Sequence, residues 1–247
     1  MNVNKKVREL YINNKYYFKY KRKKTKQNYW NKSKDPDGII RYKISEKERK
    51  QFIKNNISLI KTIKFLNINN LIDIGCGAGY LLSALKKYKS FGVDNNSLAL
   101  KQTSKYSKIF IKDLNKKNLN INKKFDLVIC YHVMEHLKSP ENLMNNIIKI
   151  IKKNGYLIVG TPDFDCLMAR IYKNKFRLLH DKTHISLFSL DSMKRFIRDK
   201  GFKILGIDFP YFETDYYNQN NLKKLFKKKS YSPPFYGNIF TILAQKS

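Results

Sequence analysis

Histidine occurs only four times in this 247-residue chain, as two pairs: His132 with His136, and His180 with His184. Glu135 adjoins the first pair and Asp181 the second. Imidazole titrates near neutrality, so a histidine beside a carboxylate can take the proton of a hydroxyl nucleophile. His136 and His184 are therefore the expected base or acceptor-orienting residues, with Glu135 beside them; His132 and His180 come second. If 132–136 turns helically, His132 and His136 share a face. Histidines at that spacing with a carboxylate can also ligate a metal. The reading adopted assigns no metal ligands; its bland alternative is a Glu-His pair that merely braces the sheet.

The sharpest pattern is LIDIGCGAGYLLSAL, residues 71–85. An apolar stretch runs into Gly75, Gly77 and Gly79 and then into a helical pattern. Glycines allow a tight turn and close approach of a ligand to the backbone. The N–H groups that open a helix lack partners and favour a negative ligand group. Asp73 precedes the loop by two positions. Asp94, followed by Asn95, ends the next apolar run about 20 residues on, where a carboxylate can bind ribose hydroxyls. A dinucleotide fingerprint would need glycine where Tyr80 stands. NAD binding thus shares the ribose carboxylate and not the glycine spacing.

These residues need a scaffold, and the hydrophobic pattern supplies one. Apolar runs at 70–74, 90–93, 108–111, 125–130 and 155–160 read as strands. Helical patterns fall between them at 78–88, 96–106 and 140–152. The last carries Ser139 as a cap, Pro140 in its first turn, and a stripe of Leu143, Met144, Ile147, Ile148 and Ile151. A helix over 189–200 stops at Gly201, and the segments 203–212 and 236–244 read as late strands, joined through the lysine-rich stretch 222–229. Such alternation predicts an α/β fold: a seven-stranded, doubly wound, mostly parallel sheet with an N-terminal helical extension. Ser45 and Glu48 have capping-box spacing before an amphipathic helix over 46–66. Residues 1–45 form a basic, aromatic extension, with a solvated or loosely ordered face over Lys19–Lys26 and a turn at Asp35-Pro36-Asp37-Gly38. Residues 46–247 form the main domain. Its insertion, 161–188, follows the fifth strand, where open α/β sheets bind ligands. Tyr29, Trp30 and Arg41 are expected to help close the site, and residues 1–27 to be dispensable.

The formal net charge of +32 invites nucleic acid as a partner. Only eight of the 51 basic residues are arginine, the residue suited to bidentate phosphate and base contacts. Asn, Ile, Tyr and Phe also run high and, like Lys, have A/T-rich codons, so base composition can account for much of the charge. Cys76, Cys130 and Cys166 lie far apart, without zinc or disulfide spacing, which fits a reduced, cytoplasmic setting. No signal-peptide pattern opens the chain, and no apolar run is long enough to span a bilayer.

DIGCGAG resembles the first motif of class I S-adenosylmethionine-dependent methyltransferases, which have this Rossmann-like fold. The resemblance implies S-adenosyl-L-methionine at Asp73, Gly75, Gly77 and Gly79. It puts Asp94 and Asn95 at the ribose, and Asp113 and Leu114 at the adenine. FDLVICYHVMEHL, residues 125–137, is similar to the fourth-strand motif of ubiquinone-pathway O-methyltransferases. The [N/D]-P-P-[Y/F] tetrad of enzymes that methylate base amino groups is missing from it. Residues 161–189, with SPPFYGN at 232–238, resemble members from surface-polysaccharide pathways. The implied activity is O-methylation of a small molecule or a sugar or polysaccharide precursor. The alternatives are an rRNA or tRNA methyltransferase using the basic N-terminal region, and a non-catalytic cofactor-binding subunit.

Overall fold

The computed structural model describes residues 3–10, 12–21, 44–225, 227 and 230–247. Tyr29, Trp30, Arg41 and the Asp35–Gly38 turn lie outside the described residues. β1 (Phe18–Lys19) pairs antiparallel with β7 (Ser186–Leu187) in a two-stranded ribbon. The main sheet contains β2 (Asn70–Ile74), β3 (Lys89–Asp94), β4 (Lys108–Ile111), β5 (Phe125–Tyr131), β6 (Ile151–Pro162), β8 (Phe202–Asp208) and β9 (Ile239–Lys246). Its order is β4-β3-β2-β5-β6-β9-β8. The first five of these run parallel, and β9 is antiparallel to both of its neighbours. This is the expected seven-stranded sheet.

Alternation along the strands sends side chains to two cores. Ile72, Ile74, Val128 and Cys130 face one layer, where α6 (Pro140–Ile150) and α8 (Leu190–Asp199) pack. Leu71, Leu127 and Ile129 face the other, where α3 (Ile57–Phe65) and α4 (Tyr80–Ser83) lie. Leu143, Met144 and Ile147 of α6 are fully buried, each side chain contributing about 1.5–3 kcal/mol relative to exposure. Ser189 and Ser192 form the capping box that starts α8, and Gly201, at φ +81°, follows its end.

Three expectations change. The helix over 46–66 is two, α2 (Glu46–Asn55) and α3, because Asn56 bonds its side chain back to the Phe52 carbonyl (2.8 Å) and interrupts the ladder. The helix after the glycine loop is only the four residues of α4, with turns continuing to Lys87. Ser139 sits at the N-cap of α6 without a side-chain cap bond.

Val3, Val7, Leu10 and Tyr17 of the N-terminal segment are buried. Val3, Val7 and Leu10, in and just after α1 (Val3–Arg8), share a third core with Phe164, Met168, Tyr172, Phe176 and Leu187 of the insertion. Lys19, expected on a solvated or loosely ordered face, is exposed, and its backbone pairs with Ser186 in the ribbon. The described part of the extension thus shares a core with the insertion. The insertion itself begins after Pro162, where β6 ends. It holds α7 (Leu167–Tyr172) and two short 3-10 turns.

Candidate active site

The glycine loop turns at the carboxyl end of β2. Gly75, Gly77 and Gly79 have φ of +76°, +50° and +71°, the left-handed region that glycine enters without penalty. A Cβ on Gly75 would lie 2.3 Å from Val133 Cγ2, so the loop packs directly on the segment that follows β5. Val93 at the end of β3 accepts hydrogen bonds from the Gly75 and Cys76 N–H groups (2.7 and 3.1 Å). Thr103 donates its hydroxyl to the Gly77 carbonyl at 2.6 Å. Sequence reasoning missed Thr103, since nothing local ties it to a loop 26 residues away.

Asp73 and Asp94 lie at this loop, and Asp113 follows β4. Asp73 points toward the α3 and α4 layer, among apolar neighbours. Burial, and then the charge of Asp94, push its carboxyl up to about 8. Asp94 accepts from Gly77 N–H (3.0 Å) with one oxygen and from Asn95 and Asn96 N–H (2.7 and 3.0 Å) with the other. That clamp fixes a carboxylate beside the loop, at the end of the strand adjoining β2. Asp113 is exposed beyond β4 and accepts from Asn115 N–H (2.9 Å), the turn-forming role that an Asp there also fits. Leu114 packs against the first core.

The other half of the site lies past β5, the strand next to β2 on the opposite side from β3. His132 follows Tyr131 and has φ +55°, a conformation costing roughly 1–3 kcal/mol in a non-glycine residue. Only Met134–His136 form a 3-10 turn, so His132 and His136 do not share a regular helical face. They meet at Glu135 instead. Glu135 is fully buried; its Oε2 accepts from the Thr161 hydroxyl (2.9 Å) and its Oε1 from His132 Nδ1 (3.2 Å). His136 Nε2 lies 4.0 Å from that same Oε1.

His184 completes the cluster from the insertion. Its ring centroid is 4.9 Å from that of His136, and the Ile185 N–H donates to the Glu135 carbonyl at 2.8 Å. Burial would raise the Glu135 carboxyl, but the His132 hydrogen bond and the three imidazoles hold it well below the usual range. Burial and the neighbouring His136 push His184 down to about 4, so it is neutral at pH 7. Its Nδ1 donates to the Leu178 carbonyl at 2.7 Å, and its Nε2 lies 3.7 Å from Asp181 Oδ2. Ligand-type atoms of Glu135, His136 and His184 all lie within 4.8 Å of one another. His180 stands apart, bonded to the Asn174 carbonyl (2.7 Å) and packed on Tyr231.

Comparison with known proteins identifies the family. The family model described as "Methyltransferase domain" matches residues 28–206, more than half of the chain. An uncharacterized protein of Methanocaldococcus jannaschii is 32% identical over 168 residues, 66% of this chain and 68% of that protein. The ubiquinone biosynthesis O-methyltransferase of Rickettsia canadensis is 29% identical over 145 residues, and the match spans only 59% of its length. Among solved structures, a SAM-dependent methyltransferase from Archaeoglobus fulgidus superposes with a TM-score of 0.59 at 21% identity, covering 80% of this chain and 94% of that one. The magnesium protoporphyrin IX methyltransferase of Synechocystis with bound SAH gives 0.57 at 15% identity, covering 83% and 89%. The glycine loop, the clamped carboxylate on the next strand and the seven-stranded sheet fit one conclusion: the chain belongs to the class I S-adenosylmethionine-dependent methyltransferases.

Proposed function

We propose that this enzyme methylates a hydroxyl oxygen of a small-molecule or sugar acceptor. The observation that carries this reading is the buried, ionised Glu135 with three imidazoles around it, two residues from the Val133 contact to Gly75. Hydroxyl methylation requires a proton acceptor near the methyl donor.

The residues at the glycine loop fit the cofactor. The buried Asp73 carboxyl has no hydrogen-bond donor among the described residues, and its shift arises from burial and Asp94 alone, so a cationic ligand group would relieve its desolvation. Asp94 is held by three backbone N–H groups and can accept one further hydroxyl. Bound S-adenosylmethionine supplies an electrophilic methyl whose C–S electron pair leaves with sulfur. The chain's own task is alignment, worth roughly 7–11 kcal/mol at the extreme, and removal of the acceptor proton. His184, 4% exposed and engaged with Leu178, suits a positioning role. His132 and His136, which keep accessible surface, are the proton acceptors of this scheme, and Glu135 orients them.

Mass spectrometry of metabolite and glycan extracts, incubated with the protein and a labelled methyl donor, tests the reading. The expected product is an O-methyl compound; label solely on nitrogen or carbon overturns it. Asp94→Ala is expected to weaken cofactor binding by about 1.5–3 kcal/mol in calorimetry. Unchanged affinity in the folded variant refutes its role. His132→Gln and His136→Gln are expected to keep cofactor affinity, the variant of the true base losing roughly 10²–10⁴-fold in turnover. Near-normal turnover in both removes the proton-transfer scheme. Activity lost on chelation and restored by a divalent ion reassigns the cluster to metal binding.

A further inference from the structure

The connection from β8 to β9 leaves the sheet at the carboxyl end of β8, the same edge as the glycine loop, because β8 runs parallel to the central strands. It carries a set of aromatic rings in mutual contact. Phe212 lies 5.3 Å from Tyr217 and 5.5 Å from Tyr236, centroid to centroid. Beneath them Tyr211, nearly buried, contacts Phe212 at 5.3 Å and Phe235 at 5.5 Å. The outer three rings are 62%, 50% and 44% exposed for Phe212, Tyr217 and Tyr236. Contiguous exposed aromatic surface marks a binding site more often than scattered apolar residues do.

Its position is on the acceptor side. Asp215, between these rings in sequence, bonds Lys54 Nζ at 2.6 Å and accepts from the Gln51 amide, while its own N–H donates to Asn55. All three partners lie on α2, which reaches the glycine loop through Phe52 against Tyr80 (5.9 Å). Tyr131, at the end of β5 on that same edge, packs edge-on against His132 at 4.4 Å. The wall therefore lies at the edge of the sheet where the glycine loop and the histidine segment after β5 also stand.

We infer that Tyr217, Phe212 and Tyr236 form a stacking wall for a sugar ring of the methyl acceptor; this rests on the hydroxyl-methylation reading above. The wall is open to water, so a hydrocarbon chain would gain little there. A pyranose lays its C–H face on an aromatic ring and keeps its hydroxyls hydrated, with the tyrosine hydroxyls at the rim as partners. A nucleobase stacks too, but a polynucleotide also needs cations along its backbone. Lys54 and Lys61, which flank this segment, are already matched by Asp215 and Glu213. The lysines of α9 (Gln219–Lys224), Lys223 and Lys224, stand in its last turn, where Tyr172 bonds the Lys224 and Leu225 carbonyls.

The test uses the intact protein, labelled methyl donor, and metabolite and glycan extracts. The labelled product is hydrolysed in acid and its monosaccharides identified. The expected label is an O-methyl monosaccharide. Phe212→Leu and Tyr236→Leu, both at exposed positions, are expected to raise KM for that acceptor roughly three- to tenfold each. Cofactor affinity should stay unchanged, and Phe212→Trp should retain the parent KM. Label recovered in nucleosides or in a sugar-free compound overturns the proposal, as does an unchanged KM in Phe212→Leu. No label in any extract, with cofactor binding intact, overturns the methyl-transfer reading and the wall's role with it.

Discussion

Asp73 stands where the alternation of β2 would place an apolar side chain. Its carboxyl, pushed up to about 8, is mostly protonated at pH 7 in the free protein. A cationic ligand group favours the ionised form, so binding below pH 8 must expel the proton. Cofactor affinity is therefore expected to rise from pH 6 to 8 and to level off above. Calorimetry in buffers of different ionisation heat should register the released proton. Asp73→Asn should flatten the profile, and a pH dependence that survives in that variant refutes the linkage. The residue types of this site were legible as text: glycines, acids and histidines at telling spacings. The bond from Thr161 to Glu135 and the left-handed backbone of His132 were not. Both arise from how β5 and β6 end side by side, a tertiary fact with no local signature.

The turn between β2 and α4 depends on two constraints acting together. Gly75 needs a positive φ, and its missing Cβ makes room for Val133. Gly75→Ala is expected to destabilise the fold by about 1–3 kcal/mol through the backbone alone, with further cost from the contact, and to weaken cofactor binding. Val133→Ala in the same chain should recover the steric part and leave the backbone part. Denaturant titration of the single and double variants separates the two; a single variant as stable as the parent contradicts both. Strands were the most legible elements, since each apolar run lies in a strand of the sheet. Helices were less so. Asn56 divides 46–66 by a side-chain bond that competes with the ladder, and the pattern at 78–88 continues past α4 because turns can bury leucines as helices do.

Across the whole chain, the fold class followed from strand-helix alternation and the position of the site from the glycine loop. What composition concealed was the union of the two ends of the problem, residues 3–21 and the insertion. Neither segment has a clean period, because each buries its apolar side chains against the other. Removing residues 1–21 would expose Phe164, Tyr172, Phe176 and Leu187. The shortened protein is expected to melt several degrees lower, since about 1 kcal/mol shifts the midpoint by roughly 2–4 °C at this size. It should also lose activity, because His184 is carried by the segment left uncovered. An unchanged melting temperature with full turnover would show the extension to be dispensable.

The pairing of Phe18 and Lys19 with Leu187 and Ser186 also sets an order of events during synthesis. Residues near position 18 leave the ribosome long before their partners near position 187 exist. At about 5–20 residues per second that wait lasts on the order of ten seconds or more. Throughout it Val3, Val7 and Leu10 have no third core to join, while β2 and β3 already have each other. The histidine that this core holds against Glu135 arrives equally late. The nascent chain can thus acquire its cofactor cradle well before its acceptor side, and a translational pause between residues 94 and 184 would lengthen the interval in which it has the one without the other.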